Sequence, residues 1–231
     1  MKRGDIIKHN DIVTAEGQMI QKGMNFKVGN KNYGVFLMSV RADAPYNDKF
    51  EDNGSTIIYE GHDMPKFKDF NKDPKTVDQP LYIAGTITEN GKFMEAANAS
   101  KKHGRLPKVV KVYEKFKSGI WAYNGFFNLT DAWIESDGLR NVCKFRLEMI
   151  DEDATGGAGT IVSLEHNRLI PSDIKAKVWA RDKGCCIKCG AKANLHFDHI
   201  IPYSKGGSSK TDKNIQILCA NCNFEKRDKI Q

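Results

Sequence analysis

Long apolar runs are missing from this chain. No stretch approaches the roughly 20 residues that a membrane-spanning helix needs, so no membrane partner is expected. The opening residues Met1-Lys2-Arg3-Gly4-Asp5-Ile6 hold no apolar leader of the kind that directs secretion, which gives a cytoplasmic location as the expectation. Cysteine is scarce before residue 185, where Cys143 stands alone, so a disulfide framework is not expected; Cys143 reads as a strand-interior core residue. There is no internal repeat, and no acidic excess of the kind that marks a solvating tail.

What is present is an ordinary soluble composition with a basic lean. The 231 residues are 40% apolar and 28% charged, with 36 basic against 29 acidic side chains and a net charge of +7. That length gives one large domain or two small ones. The charge is uneven: from Thr160 onward there are 13 basic and 7 acidic residues, against 23 and 22 before it. A polyanionic partner for the C-terminal part is one reading of this lean, and an ordinary basic protein is the other.

The chain divides at Asp151-Glu152-Asp153-Ala154-Thr155-Gly156-Gly157-Ala158-Gly159, which has no large apolar side chain. Before it, strand-like runs recur at 34–40, 55–59, 81–86, 107–113 and 140–148, separated by Gly, Asn and Asp clusters. Their spacing suits a curled sheet or barrel. After it the period changes to helical, with Ser172 predicted to cap a helix whose apolar stripe is Ile174, Val178 and Trp179. The expected organisation is an α+β chain with a mostly-β domain over 1–150, a linker over 151–166 and a compact module over 167–231.

Five of the six cysteines crowd into the 38 residues from Cys185 to Cys222. Cys186-x-x-Cys189 and Cys219-x-x-Cys222, 29 residues apart, are two knuckles that can enclose one zinc ion tetrahedrally and leave no open position for catalysis. Cys185 competes with Cys186 for the first place, but only Cys186 gives the paired spacing. So small a module has little core of its own, and zinc would supply much of its folding energy.

Between and beyond the knuckles lie Asp198-His199-Ile200-Ile201-Pro202, Gly206-Gly207, Asn214, and Cys222-Asn223-x-x-Lys226. Together these resemble the HNH (ββα-metal) nuclease family. The resemblance implies that His199 is the general base that takes a proton from water. It also implies that Asp198 and Asn223 hold one catalytic magnesium or manganese ion with hard oxygen ligands, which the sulfur cage would not bind. Asn214 takes the family's central position, as the residue that ties the hairpin together. His196 is an optional position, a phosphate contact or a solvent-facing residue. Lys226 and Arg227 are either phosphate contacts or a charged helix end. Adjacent residues on a strand face opposite sides, so for Asp198 and His199 to converge the strand must bulge or bend.

Weaker motifs before the linker resemble, in order, the SRA (YDG) family of modified-cytosine readers, a PUA-like curled barrel. They are Ile57-Ile58-Tyr59-Glu60-Gly61, Asp78-Gln79-Pro80-Leu81, Leu106-Pro107-Lys108-Val109-Val110-Lys111-Val112 and Tyr123-Asn124-Gly125, the last with Asn124 where the signature has Asp. The resemblance implies that Tyr46 and Tyr59 stack on an extruded base. It further implies that Asp48 accepts from the cytosine amine and that the main chain near Glu60 reads the rest of the base edge. The function that follows is a modification-dependent endonuclease acting on double-stranded DNA with 5-methyl- or 5-hydroxymethylcytosine, working as a homodimer. Two alternatives stand beside it: a nuclease whose PUA-like domain reads sequence or another modification, and a non-catalytic zinc-stabilised DNA-binding protein.

Overall fold

The structure, a computed structural model, describes residues 1–68, 70–150, 169–202 and 205–226. The expected linker and Arg227 lie outside the described residues. Among the described residues no helix is long and apolar enough to cross a membrane.

The spine is β9 (Ile120–Ser136), whose long alternating run follows the turn at Gly119 (φ +74°). One edge of β9 pairs first with β1 (Asp5–Lys8) and then with β10 (Asn141–Met149); the other edge pairs with β8 (Lys108–Lys117). From β10 the sheet continues to β5 (Thr56–Glu60) and β4 (Lys49–Glu51). From β8 it continues in parallel to β3 (Gly34–Met38) and then to β2 (Met24–Asn25). The two branches close over one core that includes Phe36, Tyr59, Phe127, Phe145 and Cys143. Cys143 is fully buried there, as expected.

Helix α1 (His9–Glu16) follows β1, and helix α2 (Glu89–His103) packs Phe93, Met94 and Ala97 into the core. The sequence reading of a mostly-β segment passes over α2, although its end signals are in place. The Thr88 hydroxyl accepts from the Gly91 N–H, and Gly104 at φ +61° stops the helix. The run 81–86 is not one strand. It is two short ones, β6 (Tyr82–Ile83) and β7 (Thr86–Ile87), joined through Ala84 and Gly85, both at positive φ, as a tight hairpin requires.

The C-terminal part consists of α3 (Ser172–Arg181), the hairpin β11 (Leu195–His199) and β12 (Ile215–Cys219), and α4 (Ala220–Lys226). Strand β11 pairs with β1, so the hairpin extends the same sheet, whose order runs β12-β11-β1-β9-β10-β5-β4. A second core joins Phe116 and Ala122 of β8 and β9 to Val178, Phe197 and Ile217. Ser172 does not cap α3: the N-cap is Pro171, and the Ser172 hydroxyl donates to Glu114 on β8 instead.

Candidate functional site

The cysteine cluster is built by two turns. Gly184 (φ +62°) lies so close to Trp179 that an added Cβ would sit 2.5 Å from the indole, and this brings the chain round into Cys186. Gly190 (φ +76°) then closes the first knuckle, its N–H donating to the Cys186 carbonyl at 2.8 Å. The sulfurs of Cys186, Cys189, Cys219 and Cys222 all lie within 4.8 Å of one another, with Cys189 and Cys219 3.6 Å apart. Zinc–sulfur bonds of about 2.3 Å give sulfur separations of roughly 3.8 Å in a tetrahedron, so the four residues fit zinc. Cys185 is excluded from the cluster: its sulfur faces the Asp182 carbonyl at 3.0 Å.

His199 is the last residue of β11, and the chain turns immediately after it. From this strand end the two side chains reach different neighbours. Asp198 faces β12 and α4, where its Oδ2 accepts from Gln216 Nε2 at 2.8 Å and pairs with Lys226 Nζ at 2.9 Å. The His199 ring turns towards the following loop, with Nε2 2.8 Å from the Ser209 hydroxyl. Burial depresses the His199 pKa, against the opposing pull of Asp198, and so favours the neutral ring that a general base requires.

Asn214 holds that loop. Its Oδ1 accepts from the Ile201 N–H at 2.8 Å, and its Nδ2 donates to the carbonyls of Ile201 and Ser208, each at 3.1 Å. Gly207 is required by proximity, because an added Cβ would lie 1.8 Å from the Ile201 carbonyl oxygen. A cleft of about 640 Å³ opens beside Ser209, between the Gly206–Lys210 loop and Phe50–Gly54 of the N-terminal part.

Lys226 is not on the surface, where a phosphate contact would place it. It is 1% exposed, with its ammonium on Asp198 and on the His199 carbonyl. An internal cation therefore stands at the carboxylate that a divalent ion would use, and the hard-oxygen chemistry of Asp198, with Asn223 half-buried one turn before Lys226, fits such an ion. His196 is neither free nor solvent-facing: its Nδ1 pairs with Asp5 of β1 at 2.5 Å.

The residues expected to hold a base come together only in part. Asp48 is buried and accepts N–H bonds from Glu60 at 3.0 Å and Ser39 at 3.1 Å; burial, only partly offset by these bonds, raises its pKa to about 7. The Glu60 side chain pairs with Lys144 at 2.9 Å and receives the Asn47 N–H at 3.2 Å. Tyr46, half-buried, stands between two cavities of about 640 Å³ each, one bounded by Gly23, His62 and Asn90 and the other by Glu60, Arg140 and Lys144. Tyr59 is elsewhere: its ring packs on Phe36 at 4.5 Å and it is 1% exposed, its hydroxyl donating to the Leu37 carbonyl. The aromatic ring nearest Tyr46 is His62, 6.0 Å away, which burial keeps neutral with a pKa near 4. His62 begins the segment after Gly61, and no motif marks it for a role in the pocket. Ser209 was visible only as part of a polar loop.

The sequence has no match among curated proteins. Among solved structures the chain is similar to the SRA domain of SUVH5 in complex with hemimethylated CG DNA, with a TM-score of 0.45, 20% identity, and coverage of 71% of this chain and 94% of that one. It is similar to the same domain bound to fully hydroxymethylated CG DNA, with a TM-score of 0.45, 19% identity, and coverage of 71% and 95%. It is also similar to the modification-dependent TagI restriction endonuclease, with a TM-score of 0.41, 20% identity, and coverage of 97% and 77%. Residues 186–229, which carry the cysteine cage and the Asp198, His199, Asn214 and Asn223 arrangement, match the HNH endonuclease family. Over these residues the C-terminal part of this chain is similar to an HNH endonuclease module.

Proposed function

We propose that the chain is a modification-dependent DNA endonuclease, in which the N-terminal domain over 1–150 reads an extruded modified cytosine and the module over 167–231 hydrolyses a nearby phosphodiester bond. The observation that carries the reading is the half-buried His199, held by Ser209 at 2.8 Å at the end of β11 and next in sequence to Asp198.

Hydrolysis needs a water stripped of a proton and charge neutralised on the phosphate. With its Nε2 engaged by Ser209, His199 takes the water proton at Nδ1. Asp198 and Asn223 would hold a magnesium or manganese ion, which supplies charge neutralisation at the phosphate and the leaving oxygen. Asn214 ties Ile201 to Ser208, so that Ser209 stays on the imidazole. Cys186, Cys189, Cys219 and Cys222 hold structural zinc and take no part in the chemistry. In the reader, Tyr46 supplies a stacking face, ionised Asp48 accepts from the exocyclic amine, and the main chain at Glu60 reads the remaining edge, while the buried Tyr59 supports the pocket from the core. One HNH site cuts one strand, so a double-strand break calls for a homodimer.

The test is a magnesium- or manganese-dependent digest of matched plasmids carrying cytosine, 5-methylcytosine or 5-hydroxymethylcytosine. Modified DNA alone should be cut, and His199→Ala should lower the rate roughly 10²–10⁴-fold. A second reading keeps the nuclease and replaces the modified-base reader with a PUA-like domain that reads sequence; the burial of Tyr59 beneath Phe36 favours it. Equal cutting of all three plasmids would establish that second reading over the first.

A further inference from the structure

The 18 residues between Ile150 and Leu169 could span roughly 60 Å if extended, so the length of the connection leaves the placement of the two parts open. The contacts do not. Strand β1 pairs on one edge with β9 and on the other with β11. Across this seam the Phe197 N–H donates to the Gly4 carbonyl at 3.0 Å, and Phe116 meets Phe197 and Trp179 at ring separations of 5.4 and 6.0 Å. Domains that move on one another meet through polar, hydrated surfaces; this seam is a packed core.

Within it lies a charge pair cut off from water. Lys175 of α3 is 2% exposed and Glu114 of β8 is fully buried, and the two are bonded. Lys175 also donates to Asn124 Oδ1 at 2.9 Å, Asn124 Nδ2 donates to Glu114 at 2.8 Å, and Ser172 supplies the fourth side chain of the cluster. A β-bulge makes the arrangement possible. Val112 faces Gly125 and Tyr113 faces Tyr123, which leaves Asn124 unpaired in the ladder, with Gly125 at φ +96°. The bulge turns Asn124 inward beside an already buried Tyr123. An aspartate at 124 would set a second carboxylate against Glu114, whereas the amide satisfies both members of the pair.

A buried ion pair adds little net stability over apolar side chains of the same shape, but it tolerates only one registration of its partners. A slip of α3 by one turn would leave the Glu114 carboxylate unpaired in the core. We propose that Lys175, Glu114 and Asn124 are positioning residues that lock the nuclease module onto the reader as one rigid body, so that the distance from the base read to the phosphate cut is a constant of the fold. This rests on the reader-and-nuclease reading above.

The test maps cleavage on both strands of duplexes that carry a single 5-methylcytosine or 5-hydroxymethylcytosine at a fixed position, with unmodified duplex alongside. Wild-type cuts should fall at one phosphate, or at adjacent ones, on each strand. In Lys175→Met the cuts should spread over several phosphates while binding to the modified duplex stays within about two-fold. Should that variant fail to fold, the paired change Glu114→Leu with Lys175→Met removes both charges, keeps the seam apolar, and should still spread the cuts. Scattered wild-type cuts overturn the inference, as does an unchanged map in the paired variant; in either case modification dependence remains. Equal cutting of the unmodified duplex overturns the underlying reading instead.

Discussion

Burial holds the Asp48 carboxyl near pH 7 although two backbone N–H groups point at it. Its folded value lies above the ~3.9 of an unfolded chain. Its contribution to stability is therefore full below about pH 4 and is lost as pH rises through about 7. Between pH 5 and pH 8 the wild type should lose more stability than Asp48→Asn, as read from urea midpoints of both proteins. An amine donates more strongly to the ionised carboxylate than to the protonated acid, so binding to a modified duplex should weaken as pH falls below that range. At this scale the sequence spoke unevenly. Asp198, His199 and Asn214 are legible because their spacing matches a known hairpin. The burial of Lys226 and of Tyr59 is not, because a lysine near a helix end and a tyrosine in an alternating strand each have two faces to choose from. Packing against Asp198 and Phe36, neither adjacent in sequence, makes the choice.

The knuckle turns and the β11–β12 hairpin form an element too small to bury a core unaided, and a metal has to supply what burial does not. One zinc per chain is expected by elemental analysis. Its removal by a chelator, or Cys186→Ser, should abolish amide protection along β11 and β12 and with it cleavage, while the α2 face of the reader keeps its protection in hydrogen exchange. Cysteine spacing made this element visible from the sequence. Helix α2 was not visible, because only one stripe of Phe93, Met94 and Ala97 is apolar and its remaining side chains suggest a loop. The two-residue strands at 82–83 and 86–87 look like one in the sequence, since the strand-like run there continues through a turn that only the Ala84-Gly85 backbone reveals.

With zinc bound, the same seam that fixes cut geometry couples the two parts of the chain as a single cooperative unit. Trp179 reports from the nuclease side of it, while Trp121 and Trp133 report from β9. Followed separately with the aid of a Trp179→Phe variant, the two signals should share one denaturant midpoint; a lower midpoint for Trp179 would mean that the halves unfold independently. The division of the chain near residue 150 could be read from composition, but not the sheet that crosses it, because β1 offers only the four residues Asp5–Lys8 as a signal. That strand has a further consequence during synthesis. It leaves the ribosome well before the strands that fill its two edges, which begin at Ile120 and Leu195. Until both have emerged, β1 waits with open edges. The β11–β12 hairpin is made after the strands of the reader, so it can be seated only on a sheet that has already formed.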